Sequence, residues 1–176
     1  YNYNKNFKIN DIDGSFNFSS SGSNYLRDTN SLKSSINNNL SYSTPNYFTN
    51  NGFKNNMNLY FKNLNSVGKK DQTYKSSPRV EGMGLFEINS SLPLIKNNEL
   101  SKEVLIPKIS FRANPVNDMI DYSSSSKVIN ADNVFAINRL GLSDTFEQGK
   151  SITLGLDYNF NIETNIDEDE IKDKFL

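Results

Sequence analysis

The stretch from Lys150 to Asn161 reads K-S-I-T-L-G-L-D-Y-N-F-N, and its alternation decides the fold. Successive side chains of an extended strand point to opposite faces. One face therefore carries Ile152, Leu154, Leu156, Tyr158 and Phe160, and the other carries Ser151, Thr153, Gly155, Asp157 and Asn159. Such a strand belongs either to a soluble sheet with one buried face or to a transmembrane β-barrel with lipid outside and water inside.

The composition predicts a folded chain that lacks the usual catalytic and metal-binding side chains. The 176 residues include 12 Phe and 9 Tyr, which is more aromatic surface than disordered segments carry. Cys and His are both absent, and this removes disulfides, thiolate ligands and the commonest general base. We therefore predict no catalytic residue, no metal and no cofactor, and we expect a protein that is not an enzyme.

The charge balance and the apolar pattern exclude two further classes. The 19 basic and 20 acidic residues nearly cancel, whereas nucleic-acid-binding domains are usually strongly basic, so no nucleic-acid partner is predicted. The sequence also contains no run of 18 or more apolar residues, so it predicts no transmembrane helix. Transmembrane β-strands leave no such run, because polar and apolar residues alternate along them.

Other stretches alternate in the same way and are separated by polar segments with turn residues such as Asp13-Gly14 and Pro45-Asn46. We predict long, extracellular loops at about residues 20–31, 65–81 and 113–149. We predict shorter, periplasmic turns at about residues 10–13, 44–52, 95–103 and 161–170. Long loops at one end of the strands and short turns at the other are typical of outer-membrane barrels.

The predicted fold class is all-β. We expect an antiparallel up-and-down meander of about seven to eight strands, the last beginning at Ile171, as part of a large transmembrane outer-membrane β-barrel. Residues 1–176 would then be a fragment of one β-barrel domain, and we expect the chain to be a segment of a longer protein.

The alternation assigns side chains to the two sides of this barrel wall. We predict that the lipid-facing side chains are Phe53, Met57, Leu59, Phe61, Phe86, Ile88, Ile109, Phe111, Ile152, Leu154, Leu156, Tyr158 and Phe160. We predict that the lumen-facing side chains are Lys54, Lys62, Lys108, Arg112, Lys150 and Asp157.

Some residues break the pattern. Tyr60, Met83 and Leu85 are large and apolar on the polar side, whereas Lys5 lies on the apolar side. Pro107 cannot donate a ladder hydrogen bond, so it predicts a bulge, an edge or a strand end.

Residues 104–160 contain segments that resemble the family of lipopolysaccharide-assembly outer-membrane proteins, LptD. In that family an L-x-P-K strand with a Pro-containing exit, an N-x-F-x-x-N-R segment and a D-x-x-E-x-G run follow in this order. The matching segments are L-I-P-K-I-S-F-R-A-N-P at residues 105–115, N-V-F-A-I-N-R-L-G at 133–141, Asp144, Glu147 and Gly149, and S-I-T-L-G-L at 151–156. The family often has Arg after the position of Asp144, where this chain has Thr145.

The resemblance implies that the intact protein inserts lipopolysaccharide into the outer leaflet of the outer membrane of a Gram-negative bacterium. It also implies two partners, an LptE-like plug lipoprotein and a periplasmic bridge component, in addition to lipopolysaccharide and outer-membrane lipid. Lys108, Arg112 and Lys150 are wall residues that we expect to guide an anionic amphiphile. A general porin or receptor barrel and a soluble β-sandwich adhesin are the alternatives.

The motif residues of the long loop have a structural interpretation. A loop that folds back into a wide lumen must pair its charges and satisfy its backbone groups. We expect this plug role, in preference to contact with substrate, for Asn133, Phe135, Asn138, Arg139, Asp144, Glu147 and Gly149.

Overall fold

The computed structural model describes residues 1–98, 101–116, 118–122 and 126–162, which form strands, turns and one long loop. Nowhere in these residues does a helix occur that could span a membrane. The strands are β1 (Asn2–Ile9), β2 (Ile12–Arg27), β3 (Ser31–Ser43), β4 (Tyr47–Phe48), β5 (Lys54–Lys69), β6 (Arg79–Ser91), β7 (Leu94–Asn97), β8 (Ser101–Asn114) and β9 (Gly149–Ile162).

All nine strands belong to one antiparallel sheet, and long strands that follow each other in the chain are neighbours in space. The long strands lie in the order β1-β2-β3-β5-β6-β8-β9. The short β4 pairs with β5 and continues the lane of the sheet that β3 occupies, and the short β7 pairs with β8 and continues the lane of β6. The predicted all-β, up-and-down meander is therefore confirmed. The sheet is open, with β1 and β9 at its two edges, and the predicted turn at 161–170 and strand from Ile171 lie mostly or wholly outside the described residues.

The prediction of a long loop at residues 20–31 is wrong. β2 continues to Arg27, and only residues 28–30 form the turn before β3. The Ser-rich stretch is a strand because its hydroxyls bond to side chains of β3: Ser20 Oγ donates to Asn38 at 2.7 Å, and Ser23 lies 3.2 Å from Ser35. Such cross-strand polar pairs stabilise a sheet even where apolar residues are few.

The predicted loop at 65–81 is also shorter than expected, because β5 extends to Lys69 and β6 begins at Arg79. The turn predicted at 10–13 lies between β1 and β2, and the segment 95–103 is largely a hairpin formed by β7 and β8. The asymmetry of loop lengths therefore rests mainly on residues 115–148, which join β8 to β9. The described residues of this segment, 115–116, 118–122 and 126–148, are called the long loop below.

Pro107 lies inside β8 and inside the sheet, so the predicted bulge, edge or strand end is wrong. The Leu92 N–H donates to the Pro107 carbonyl at 3.0 Å. Pro107 has no N–H with which to return the bond, and the neighbouring lane is interrupted at residues 92–93, between β6 and β7. Pro93 in that lane also lacks an N–H, so the interruption falls in the neighbouring strand, whereas β8 is continuous.

One face of the sheet is apolar and exposed. Register places Met57, Ile88, Phe111 and Ile152 in one cross-strand row, and side chains in such a row share a face. The predicted lipid-facing residues lie on this face, except that Phe53 immediately precedes β5. All but the half-buried Met57 and Phe86 are exposed. No second sheet of the described residues covers this apolar face.

The opposite face is polar, and the long loop lies on the part of it that β5, β6, β8 and β9 form. The three apolar residues that break the alternation find their partners here, since Met83 and Leu85 are buried with Phe146 of the loop and Tyr60 packs against the same cluster. The cluster is completed by Leu64 and Met119, with Tyr74, Tyr122 and Ile137 packed around it. Its apolar contacts hold the long loop on the polar face of the sheet.

Candidate functional site

The candidate site is the polar face with the long loop folded on it. Five of the six residues predicted to face a lumen lie on this face, namely Lys54, Lys62, Lys108, Arg112 and Asp157. The assignment of Lys150 is wrong. It pairs with Ala113, which pairs with Phe86, so Lys150 lies on the apolar face near the start of β9. Residues two apart share a face of a strand, and Lys150 is therefore on the side of Ile152.

Arg112 joins the sheet to the loop. The residue is 4% exposed, and its two terminal nitrogens donate to the Ile137 carbonyl at 2.5 Å and to the Ala136 carbonyl at 3.3 Å. Its Nε lies 3.8 Å from a carboxylate oxygen of Glu87 in β6. The guanidinium is thus used to hold the loop, and the role that we expected for Arg112 in guiding an anionic molecule is not supported by its surroundings.

Arg139 and Glu147 form the second connection. Two nitrogens of Arg139 donate to the two carboxylate oxygens of Glu147 at 2.5 and 2.9 Å, in the forked geometry of a strong ion pair. Arg139 also donates to Ser151 at 3.1 Å and to Thr153 at 3.5 Å on β9. Hydrogen bonds from Arg139 hold the pKa of Glu147 below its ordinary value. Both residues belong to the motif quoted above, and the structure brings them together.

Phe135 lies against β8 and β9. The ammonium of Lys108 is 4.4 Å from the centre of the Phe135 ring and 2.7 Å from a carboxylate oxygen of Asp157. A Cβ atom on Gly155 would lie only 2.5 Å from the ring, so the ring occupies space that only a glycine leaves free. The alternation assigned Gly155 to the polar face, and the structure shows that its missing side chain makes room for the Phe135 ring.

The remaining motif residues shape the loop itself. Asn133 donates to the Val128 carbonyl at 2.9 Å, and Asn138 bonds to both the carbonyl and the N–H of Leu142. The Asp144 carboxylate accepts from the Tyr122 N–H at 3.1 Å. Gly149 starts β9 at a φ of 108°, a conformation that residues with a Cβ rarely adopt. These bonds are internal to the loop and its connection to β9.

The loop also lies over Lys62. Its ammonium is 4.3 Å from the centre of the Phe146 ring and 3.5 Å from the Asp144 carbonyl. Thr145, which stands where the LptD family often has Arg, is buried, and its hydroxyl lies 3.6 Å from the Met83 sulfur. The ion pair of this segment is therefore made by Arg139 and Glu147.

Sequence reasoning missed two residues of the sheet that hold the loop. Asn114 is fully buried and donates to the carbonyls of Phe146 and Glu147 at 3.3 and 3.1 Å. Glu81, 1% exposed, accepts from the Tyr122 hydroxyl at 3.0 Å, and burial raises the pKa of Tyr122. Asn114 is two residues from Arg112 in β8, so the alternation could have placed it on the polar face. Glu81 was missed because it was assigned to a loop.

The arrangement is suited to binding and to loop anchoring. Lys62, Lys108, Arg112 and Arg139 pair with carboxylates or backbone carbonyls. Within the described ranges no three potential metal-binding side chains gather. Neither a protein-family model nor a curated protein sequence matches the chain. The resemblance to LptD proteins stays a prediction from residues 104–160.

Replacing Gly155 tests whether the Phe135 ring packs against this residue. In Gly155→Ala the new methyl group displaces the ring, and overpacking of this kind costs about 1–3 kcal/mol. Trypsin cleavage within the long loop should become about tenfold faster, since about 1.4 kcal/mol corresponds to a factor of ten. Gly84→Ala is the matched control, because no heavy atom lies within 4 Å of its Cβ position. In the double variant Gly155→Ala/Phe135→Ala the ring is absent and the collision is removed. Equal cleavage rates of Gly155→Ala and wild type would contradict the packing of Phe135 against Gly155.

The Arg139–Glu147 pair predicts a pH dependence. Because the folded-state pKa of Glu147 is depressed, the stabilisation is complete above the unfolded pKa of about 4.3. It is lost as the pH falls through the lower folded pKa. Glu147→Gln should cost about 1.5–3 kcal/mol at pH 7, and its difference from wild type in urea unfolding should shrink below about pH 4.

Glu103→Gln is the control for that measurement, since Glu103 pairs with the exposed Lys96 at 3.6 Å. Exposed pairs contribute little, so this variant should differ little from wild type at any pH. A Glu147→Gln difference that is the same at pH 7 and at acidic pH argues that the carboxylate charge does not stabilise the loop.

Proposed function

We propose that the sheet is a section of the wall of an outer-membrane β-barrel, with the face of Leu154 against lipid and the face of Arg112 towards the lumen. One observation carries this proposal. The apolar face is exposed, with Leu154 75% accessible, whereas the long loop of the same chain lies on the charged face, over β5 and β6. A soluble sheet would bury the apolar face, and large exposed apolar patches mark surfaces that another medium or partner covers.

The borders of the apolar face support a bilayer as that medium. On one side of the band that holds Leu59 and Phe61, Ser20, Asn38 and Asn63 form a hydrogen-bonded row across three strands, with bonds of 2.7 and 3.2 Å. The exposed Ile36 and Val80 lie beyond this row. At the other end, Lys96 and Glu103 form an ion pair. Polar rows above and below an apolar band are what two membrane interfaces require, and strands of 14 residues such as β8 and β9 exceed the 9–11 that cross a bilayer.

Lipopolysaccharide assembly is the function that we propose for this wall. Its support is the LptD-like order of segments in residues 104–160 together with their contacts. Lys108 of the first segment touches Phe135 of the second, and Arg139 of the second pairs with Glu147 of the third. Segments that are separate in the sequence thus form one unit on β8 and β9. The proposed intact protein, with a plug lipoprotein and a periplasmic bridge, delivers lipopolysaccharide without covalent chemistry.

The membrane orientation is tested with single cysteines, since the chain has none. A fluorophore at Leu154→Cys should be quenched by brominated lipid, whereas one at Asp157→Cys should be quenched by aqueous iodide. The two positions lie on opposite faces of β9, and both are solvent-accessible in the described chain. Iodide quenching at Leu154 together with no lipid quenching there would exclude a lipid-facing wall.

Depletion of the intact protein tests the assembly function. Lipopolysaccharide at the cell surface should fall while other outer-membrane proteins are still inserted, because delivery to the outer leaflet fails. A conducting barrel is the competing function, since a loop held on the lumen wall would also narrow a pore. Unchanged surface lipopolysaccharide, combined with a solute conductance in planar bilayers, would replace assembly by conduction.

A further inference from the structure

A polar pocket of about 260 Å³ lies on the polar face beside the tip of the long loop. Its wall includes Lys54, Asn56, Asn89, Ser91, Lys108 and Phe135. Four of these residues come from β5 and β6, one comes from β8, and Phe135 comes from the loop. The volume is slightly below the roughly 300 Å³ at the lower end of ligand pockets, so the pocket suits one small unit and not a long chain.

The lysines give the pocket a cationic side. In the strand register Lys54 lies opposite Ser91, and Ser91 lies opposite Lys108. The two lysines therefore flank the serine in one cross-strand row. Their backbones are two strand spacings, or about 10 Å, apart. Lys108 already contacts Asp157. Lys54 forms no ion pair within the described part of the chain, and its ammonium therefore has its donors left for an anionic ligand.

The rest of the wall provides the groups that bind a sugar. Asn56 and Asn89 are cross-strand partners that present amides, and Ser91 presents a hydroxyl. Amides and hydroxyls both donate and accept hydrogen bonds, as sugar hydroxyls require. The Phe135 ring adds an apolar surface, and Gly155 sets its position. A free inorganic anion would use the lysines but would leave the amides and the ring without a role.

We propose that this pocket binds one sugar ring that carries an anionic substituent, with Lys54 pairing with the charge and Phe135 packing against the ring. The inference rests on the proposed function in one respect, because a ligand moving through a lumen reaches the pocket only if the polar face lines that lumen. Since Phe135 belongs to the long loop, a ligand in the pocket would also contact the loop and help to fix the position of the residues around Phe135.

Fluorine NMR on the intact protein in detergent tests the proposal. 4-Fluorophenylalanine at Phe135 reports on the pocket, and glucose 6-phosphate, glucose and inorganic phosphate are the probes. Glucose 6-phosphate should give a saturable shift, with an affinity at least about tenfold higher than that of either glucose or phosphate. Lys54→Gln should weaken it about tenfold, which corresponds to about 1.4 kcal/mol, and Lys54→Arg should retain most of it.

Lys69→Gln is the matched control, because Lys69 is exposed at the far end of the same strand, and its titration should equal that of wild type. An unchanged Phe135 resonance without ligand shows that Lys54→Gln keeps the loop in place. Equal binding of phosphate and glucose 6-phosphate, or no shift with any probe, overturns the proposal. A null titration in a protein whose position 154 is quenched by brominated lipid refutes the pocket alone. Iodide quenching at that position without lipid quenching refutes the barrel wall.

Discussion

The buried guanidinium of Arg112 is the group on which the arrangement of sheet and loop depends. A cation removed from water is costly unless hydrogen bonds and opposite charges replace its hydration. Glu87 of the adjacent strand supplies a charge, and the carbonyls of Ala136 and Ile137 supply acceptors. Two of these partners belong to the long loop, so the loop must lie on the polar face for Arg112 to be satisfied.

Once the loop lies there, the other contacts reinforce one another. Arg139 reaches Glu147 and the hydroxyls of β9, Phe135 occupies the space above Gly155, and Phe146 joins the apolar cluster of Met83 and Leu85. The long loop thus lies on the polar face over β5, β6, β8 and β9, and the apolar face is left exposed. Lipid is a medium in which this distribution is stable, because apolar side chains need no cover there.

The strands and their faces were predictable because each depends on neighbouring residues. Period-two alternation identified β9 and the outward side of Leu154, and the turn between β1 and β2 followed from short-range turn residues. Predictions that equated polar composition with loops were wrong. The serines of residues 19–23 lie in β2, where cross-strand partners such as Asn38 satisfy their hydroxyls. For Lys150, strand parity already contradicted the assignment to the polar side.

The amino-acid pattern alone predicts the strand periodicity, the division into an apolar and a polar face, and the charged residues of the loop. These properties are local, since they follow from backbone geometry over a few residues. The contacts that these residues make across the chain followed only from the three-dimensional structure. Met83, Leu85 and Tyr60 looked like errors in the alternation until the sheet register and the folding back of the loop placed Phe146 against them. Contacts between residues so far apart in the chain arise only when the register of four strands and the course of the loop are set together.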